Sequence, residues 1–243
     1  MRLLGLDFAD LNATEAAELL ARRGADEPFG YVTTPNADHL VRLHRRPGLR
    51  PFYEDSMLRL LDSRVVALAA RLLRLLTPPV APGSDLTAHL LRRHLRPGEH
   101  ITIVGLAPRW LPALIARCGL LPPAHFDPPR GFERDPPALR RAVDFVVAHP
   151  ARFVFLAVGS PRQEVLAWAI RATGRATGTG LCIGASLEFL AGAQPRAPGW
   201  MQHTDLEWLY RLGREPRRLT RRYLIDSPAV FPLLLHERLA GHA

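Results

Sequence analysis

Asp62 stands where the apolar run SMLRLLD gives way to the helix-like stretch SRVVALAARLLRLL. A carboxylate at such a junction has two uses. It can cap the following helix, since Asp accepts readily from orphan N–H groups. It can also act as a general base, if the apolar run is a parallel strand whose carboxyl end faces a ligand. Gln163 in VGSPRQE raises the same question. Ser160, Pro161 and Gln163 have the spacing of a capping box with proline in the first turn; the alternative is a ligand contact at a strand end. Thr34 and Asn36 flank Pro35 in TTPN, where they shape a turn or line a pocket. Ser84 and Asp85 in PGSDLTAHLL are suited to cap the helix that follows.

A second group of candidates is basic. The stretch DLEWLYRLGREPRRLTRRY, from Asp205 to Tyr223, carries six arginines. On a helix Arg211, Arg218 and Arg221 or Arg222 fall near one face, because spacings of seven and of three or four are about whole turns. Leu209, Leu212 and Leu219 are placed to dock another face, and Pro216 opens a new helix at its first turn. One reading is a solvated face paired to Glu207 and Glu215. The arginines outnumber those partners, and like charges repel without an anion. The other reading is therefore a cluster awaiting a diphosphate, which Arg binds bidentately, or a membrane surface, or both. The chain has no D-x-D pair, and its ten histidines show no zinc-ligand spacing. Neither metal nor cofactor is expected, so Arg would do for a diphosphate what a divalent ion does elsewhere.

The elements that must position these groups alternate. Asn12 and Glu15 fit a capping box opening the helix ATEAAELLARRG, which stops at Gly24. FGYVTT, HITIVG, RFVFLAVG and GLCIGA read as strands, each followed by a segment of helical spacing. RLLGLDF and SMLRLLD are short apolar runs, and residues 119–138 are proline-rich and loop-like. This alternation predicts an α/β fold with a Rossmann-like, largely parallel sheet. Ligands then bind beyond the carboxyl ends of the strands, although no Gly-rich dinucleotide motif or P-loop is present. From about Gln194 the pattern changes to prolines and an Arg-rich helical tail. The expected organisation is a body of residues 1–194 with a helical appendage of residues 195–243.

Composition bounds the rest. Hydrophobic residues make up 47% and charged residues 23% of the 243, an ordinary globular balance. Every one of the 32 basic residues is arginine, and the net charge of +9 favours an anionic partner. Two cysteines without a C-x-x-C pair fit a reducing cytoplasm. Asp7 and Asp10 come too early for a signal peptide. No apolar run reaches the ~18 residues of a membrane helix, so any meeting with a membrane is peripheral.

The segments TPNADHLV, LLDSRVVALAARLL, GSDLTAHLL, VGSPRQE and LEFLAGAQPRAPGWMQHTDLEWLYRLGREPRRLTRRY occur in this order. Together they resemble the WecG/TagA/CpsF glycosyltransferases, glycosyltransferase family 26, over nearly the whole chain. The resemblance implies a bacterial peripheral enzyme on the inner face of the cytoplasmic membrane. Such an enzyme moves a sugar from a nucleotide-sugar donor, often UDP-N-acetylmannosamine or its uronic acid, to a polyprenyl-diphosphate-linked acceptor, with inversion and without a metal. It implies Asp62 as the base, and Thr34, Asn36 and Gln163 in the acceptor or sugar pocket. Arg211, Arg218 and Arg221 would close over the diphosphate. Three positions depart from the family pattern: Ser63 follows Asp62 in place of Gly, Val80 replaces an Arg three residues before Gly83, and Leu106 follows Gly105 in place of a second Gly. A degenerate member serving as an assembly partner is the second reading. A basic nucleic-acid-binding module is the third, and it lacks interleaved aromatics or a motif, so no nucleic acid is expected. A homo-oligomer remains open.

Overall fold

The computed structural model describes residues 1–193 and 227–240. Its first feature is a tight antiparallel hairpin of β1 (Arg2–Leu3) and β2 (Leu6–Asp7), the form taken by the run RLLGLDF. Helix α1 (Ala13–Ala21) follows, with the Asn12–Glu15 capping box formed in both directions. It ends three residues before Gly24, with Arg22 as its C-cap.

Six further strands build one sheet: β3 (Gly30–Thr33), β4 (Leu58–Arg59), β5 (Thr102–Gly105), β6 (Ala124–Phe126), β7 (Phe153–Ala157) and β8 (Thr179–Cys182). Their order is β4-β3-β8-β7-β5-β6, and every pair is parallel. Such strands must be joined by crossovers, and their two covered faces explain the continuous apolar runs. The helices between them are α2 (Ala37–Arg45), α3 (Pro51–Glu54), α4 (Arg64–Leu72), α5 (Gly83–His89), α6 (Leu111–Cys118), α7 (Pro136–Ala148), α8 (Arg162–Ala172) and α9 (Ser186–Ala191). A last helix, α10, spans Val230–Ala240.

The proline-rich segment 119–138 departs from the loop expected of it. It holds the edge strand β6 and the first turn of α7, where Pro136 and Pro137 suit positions whose N–H groups need no helical partner. Helix α4 also stops at Leu72 rather than running on to Leu76.

Three apolar clusters hold these layers. One lies under α1, α5, α6 and α9; a second lies under α7 and α8. The third gathers the hairpin, α2, α4 and the inward row of α10, with Val230 and Leu234 fully buried. At the amino end of the sheet Arg152 is almost wholly buried. Its Nε and Nη2 each donate 2.6 Å hydrogen bonds to the two oxygens of Glu99, and Nη1 donates to the Ala21 carbonyl at 2.8 Å. A carbonyl of His94 completes the set.

Candidate active site

The backbone decides where Asp62 goes. Strand β3 pairs with β4 through Val32 and Thr33, and the ladder continues beyond both: Leu60 N–H donates to Thr33 O at 3.0 Å, and Asp62 N–H to Pro35 O at 2.9 Å. Asp62 is thereby fixed beside the Thr34-Pro35-Asn36 turn at the carboxyl end of the sheet. It is not the cap of α4. That place belongs to Ser63, whose hydroxyl accepts from Val66 N–H at 3.2 Å.

Thr34 is buried, and its hydroxyl donates to the Cys182 carbonyl at 3.2 Å, tying the end of β3 to the end of β8. Asn36 caps α2, its side-chain oxygen accepting from His39 N–H at 3.3 Å. The start of α5 closes in from above. Ala81 N–H donates to Leu61 O at 2.8 Å, and a Cβ added to Gly83 would sit 3.0 Å from Thr34 Oγ1. Ser84 and Asp85 lie inside α5, which begins at Gly83 behind Pro82, so neither is its N-cap. Proline's fixed φ sets the entry there and leaves the cap position without a side-chain acceptor.

Gln163 does not form the expected capping box either, for α8 has no side-chain cap. Its amide reaches across the sheet end instead. Oε1 accepts from Gly184 N–H at 2.9 Å, and Nε2 donates to Glu164 Oε1 at 2.9 Å. The four described candidates thus come from the ends of three strands, Asp62 after β4, Thr34 and Asn36 after β3 and Gln163 after β7, and the end of β8 between them bonds Thr34 through Cys182 and Gln163 through Gly184. Helix α2, leaving β3, packs in the third cluster, while α9, leaving β8, packs against α5 and α6. Divergence of the helices after adjacent strands is the crevice where ligands bind in open α/β sheets. Arg211, Arg218 and Arg221, the proposed boundary at residue 194, and the apolar residues around the arginines lie outside the described residues.

Beneath Gln163 is a polar cluster of which sequence reasoning singled out only Ser160. Glu164 is fully buried, and its Oε2 has no hydrogen-bond partner among the described residues. Burial pushes its carboxyl above the ordinary range, against the hydrogen bond from Gln163. Tyr53, also fully buried, shares a 3.1 Å hydrogen bond with Ser160, which accepts another from Arg42 Nη1 at 3.0 Å. Burial, then the charge of Glu164, push the Tyr53 phenol well up; the same two causes raise the Cys182 thiol. Arg42 is paired in turn to Asp38 one helical turn back. The signal available in the sequence was the adjacency of Gln163 and Glu164. A glutamate in a first helical turn reads as a solvent-facing partner of the helix dipole, and only the packing of α8 on the sheet buries it.

At Leu106 the backbone takes φ 64°, directly after Gly105 at φ 92°. That region strains an L side chain by about 1–2 kcal/mol, and burial of the leucine offsets it. Among the described residues, no group of three His, Cys, Asp or Glu side chains gathers to hold a metal, and no helix is long and apolar enough to cross a membrane.

Comparison with known proteins places this geometry in context. The model of the Glycosyl transferase WecG/TagA/CpsF family matches residues 1–243. The chain is also 27% identical, over 97% of its length and 91% of the relative's, to an N-acetylglucosaminyldiphosphoundecaprenol N-acetyl-beta-D-mannosaminyltransferase of Bacillus spizizenii.

Proposed function

The chain belongs to the WecG/TagA/CpsF glycosyltransferase family, and on that premise we propose that it transfers an N-acetylmannosamine-type sugar from a UDP-linked donor to a polyprenyl-diphosphate-linked N-acetylglucosamine. The acceptor and sugar classes follow the name of the Bacillus relative; the product would enter cell-surface polysaccharide assembly. The reaction takes place beside the inner face of the cytoplasmic membrane, where such a lipid acceptor presents its sugar.

The observation that carries this reading is the meeting of Thr34, Asn36 and Asp62 around Pro35, with Ser63 rather than Asp62 serving as the helix cap. Asp62 accepts the proton of an acceptor hydroxyl as that oxygen forms its bond to the anomeric carbon. The bond from that carbon to the donor diphosphate breaks, and its electron pair leaves with the nucleoside diphosphate. Attack opposite the leaving group inverts the centre. General-base help of this kind is worth about 10²–10⁴ in rate. Arg211, Arg218 and Arg221 supply positive charge to the departing diphosphate, where charge grows most in the transition state. Thr34, Asn36 and Gln163 line the acceptor or sugar pocket, the Gln163 amide being held by the Gly184 N–H.

The test is turnover of UDP-N-acetylmannosamine with a lipid-diphosphate N-acetylglucosamine, run with the Asp62→Asn variant and with EDTA. Transfer by the wild type, its loss in the variant at unchanged melting temperature, and indifference to EDTA are expected. Near-full turnover by Asp62→Asn would remove the base from this scheme. A loss in EDTA that Mg²⁺ restores would remove its metal independence.

A further inference from the structure

Gln163 and Glu164 stand side by side at the start of α8, and both are buried, at 2% and 0% exposed. The bonds of the Gln163 amide can be followed one by one. Oε1 accepts from Gly184 N–H at 2.9 Å, and Nε2 donates one proton to Glu164 Oε1 at 2.9 Å. A primary amide nitrogen carries two donors. The second N–H of Gln163 has no acceptor among the described residues, at the end of the sheet where Thr34, Asn36 and Asp62 meet. The backbone of Gln163 is clamped as well. Its N–H donates to Gly159 O at 3.0 Å, and its carbonyl accepts from Cys182 Sγ at 3.5 Å. With oxygen held by Gly184 and nitrogen by Glu164, the amide cannot turn over without breaking both bonds.

Glu164 is an unfavourable choice for packing alone. Its Oε2 is buried without a partner among the described residues, and such a group costs stability. Arg42, whose charge reaches Glu164, gives its hydrogen bonds to Ser160 and Asp38. An apolar side chain of the same length would fill the space without that cost. A group that lowers stability while it fixes a neighbour at a crevice is better explained by function than by folding.

We propose that Glu164 is a positioning residue, which turns the Gln163 amide so that its second N–H faces the pocket as a donor to a neutral sugar oxygen. Glu164 has no exposed surface, so it acts through Gln163 and touches no substrate. A reversed amide would present its carbonyl to the pocket and select a donor instead, so Glu164 sets the polarity of that wall. The assignment rests on the proposed transfer reaction and on Gln163 as a residue of its pocket.

The experiment uses the full chain with Glu164→Met, Glu164→Gln, Gln163→Ala, and Glu164→Met combined with Gln163→Ala. Melting temperature is measured beside kcat and KM for UDP-N-acetylmannosamine and a lipid-diphosphate N-acetylglucosamine. The Gln163 side-chain amide is followed by proton–nitrogen NMR; it is one of three glutamines in the chain, and its signal is assigned by its loss in Gln163→Ala. Glu164→Met should melt at or above the wild-type temperature, yet lose about five- to tenfold in kcat/KM, the worth of one hydrogen bond. Glu164→Gln keeps an acceptor carbonyl and should recover most of that loss. In the Gln163→Ala background Glu164→Met should cost nothing further, because the two residues act as one. The two amide proton signals, distinct in the wild type, should move together in Glu164→Met and stay apart in Glu164→Gln.

Wild-type kcat/KM in Glu164→Met or in Gln163→Ala would overturn the proposal. So would losses that add in the double variant, or a Glu164→Met protein that folds poorly, for the role would then be structural. If the wild type transfers no sugar, the amide spectrum still decides. Signals that move together in Glu164→Met uphold the orienting role and defeat only the reaction, and unmoved signals defeat the role itself.

Discussion

The two ends of the central sheet each hold a glutamate, Glu99 half-buried and Glu164 fully buried, and they treat it in opposite ways. At the amino end Glu99 receives both prongs of the Arg152 guanidinium, and Arg152 spends its remaining donors on the Ala21 and His94 carbonyls. Burial would raise the Glu99 carboxyl, but the Arg152 hydrogen bonds, one from Arg96 N–H and the Arg152 charge outweigh it and hold the pKa below its ordinary value. At the carboxyl end Glu164 has one oxygen on Gln163 and the other without a partner among the described residues, and burial wins. One end is a closed account of donors and acceptors; the other keeps polar groups under-satisfied beside a crevice. In a parallel sheet that division is expected, because the amino end serves stability and the carboxyl end serves ligands.

The largest effect should separate the two ends cleanly. Asp62→Asn should lower transfer by about 10²-fold or more, with a melting temperature close to the wild type. Arg152→Ala should do the reverse. It leaves the Ala21 and His94 carbonyls and the half-buried Glu99 without their donor, so a loss of about 1–3 kcal/mol in chemical denaturation is expected, with turnover per folded molecule retained. If Arg152→Ala abolished turnover in protein shown to be folded, the division between the ends would fail.

The pH dependence of stability should carry opposite signs at the two ends. The Glu99 pKa is lowered on folding, so its contribution is present above the ordinary value of 4.5 and is lost as pH falls through the lowered value. The Glu164 pKa is raised on folding, so stability declines as pH climbs from 4.5 towards that raised value. Glu99→Gln should flatten the acid side of a melting-temperature profile, and Glu164→Gln should flatten the decline above it. Identical profiles for both variants would contradict the comparison.

The smallest expected effect tests how tightly the carboxyl end is fitted. Gly83→Ala forces Thr34 to give way by a few tenths of an ångström. Turnover should fall by roughly tenfold or less, because small displacements near reacting groups cost less than the ~10²-fold of a full ångström. Denaturation should barely change. Unaltered kinetics would show that Thr34 has room to move or does not touch substrate.

What the sequence disclosed depended on the range of the cause. The Asn12–Glu15 box is local, spanning one helical turn, and it forms as read. The strands β3, β5, β7 and β8 are apolar enough to identify themselves. Strand β6 is three half-buried residues among prolines, and only pairing with β5 makes it a strand. Asp62 and Ser63 are both good caps, and the register of β4 on β3 settles which one takes the place. Gln163 carried the spacing of a capping box, but the neighbouring Gly184 turn claims its amide, a partner some twenty residues away in sequence. Glu164 was hidden for the same reason, since nothing local forecasts the burial of a helix-start carboxylate.

The clasp between Leu4 and Glu237 has a topological consequence. These residues are 233 positions apart and in direct hydrogen-bond contact, so the two margins of the described chain lie side by side. A short linker could join them, and the chain could be reopened at the Arg130–Gly131 turn, where Arg130 is exposed and the surroundings of Gly131 leave open space. The order of synthesis would change while every strand kept its neighbours, as circular permutation requires. In such a permutant α10 would emerge next to the hairpin it grips, and a contact that now spans the chain would become a local one.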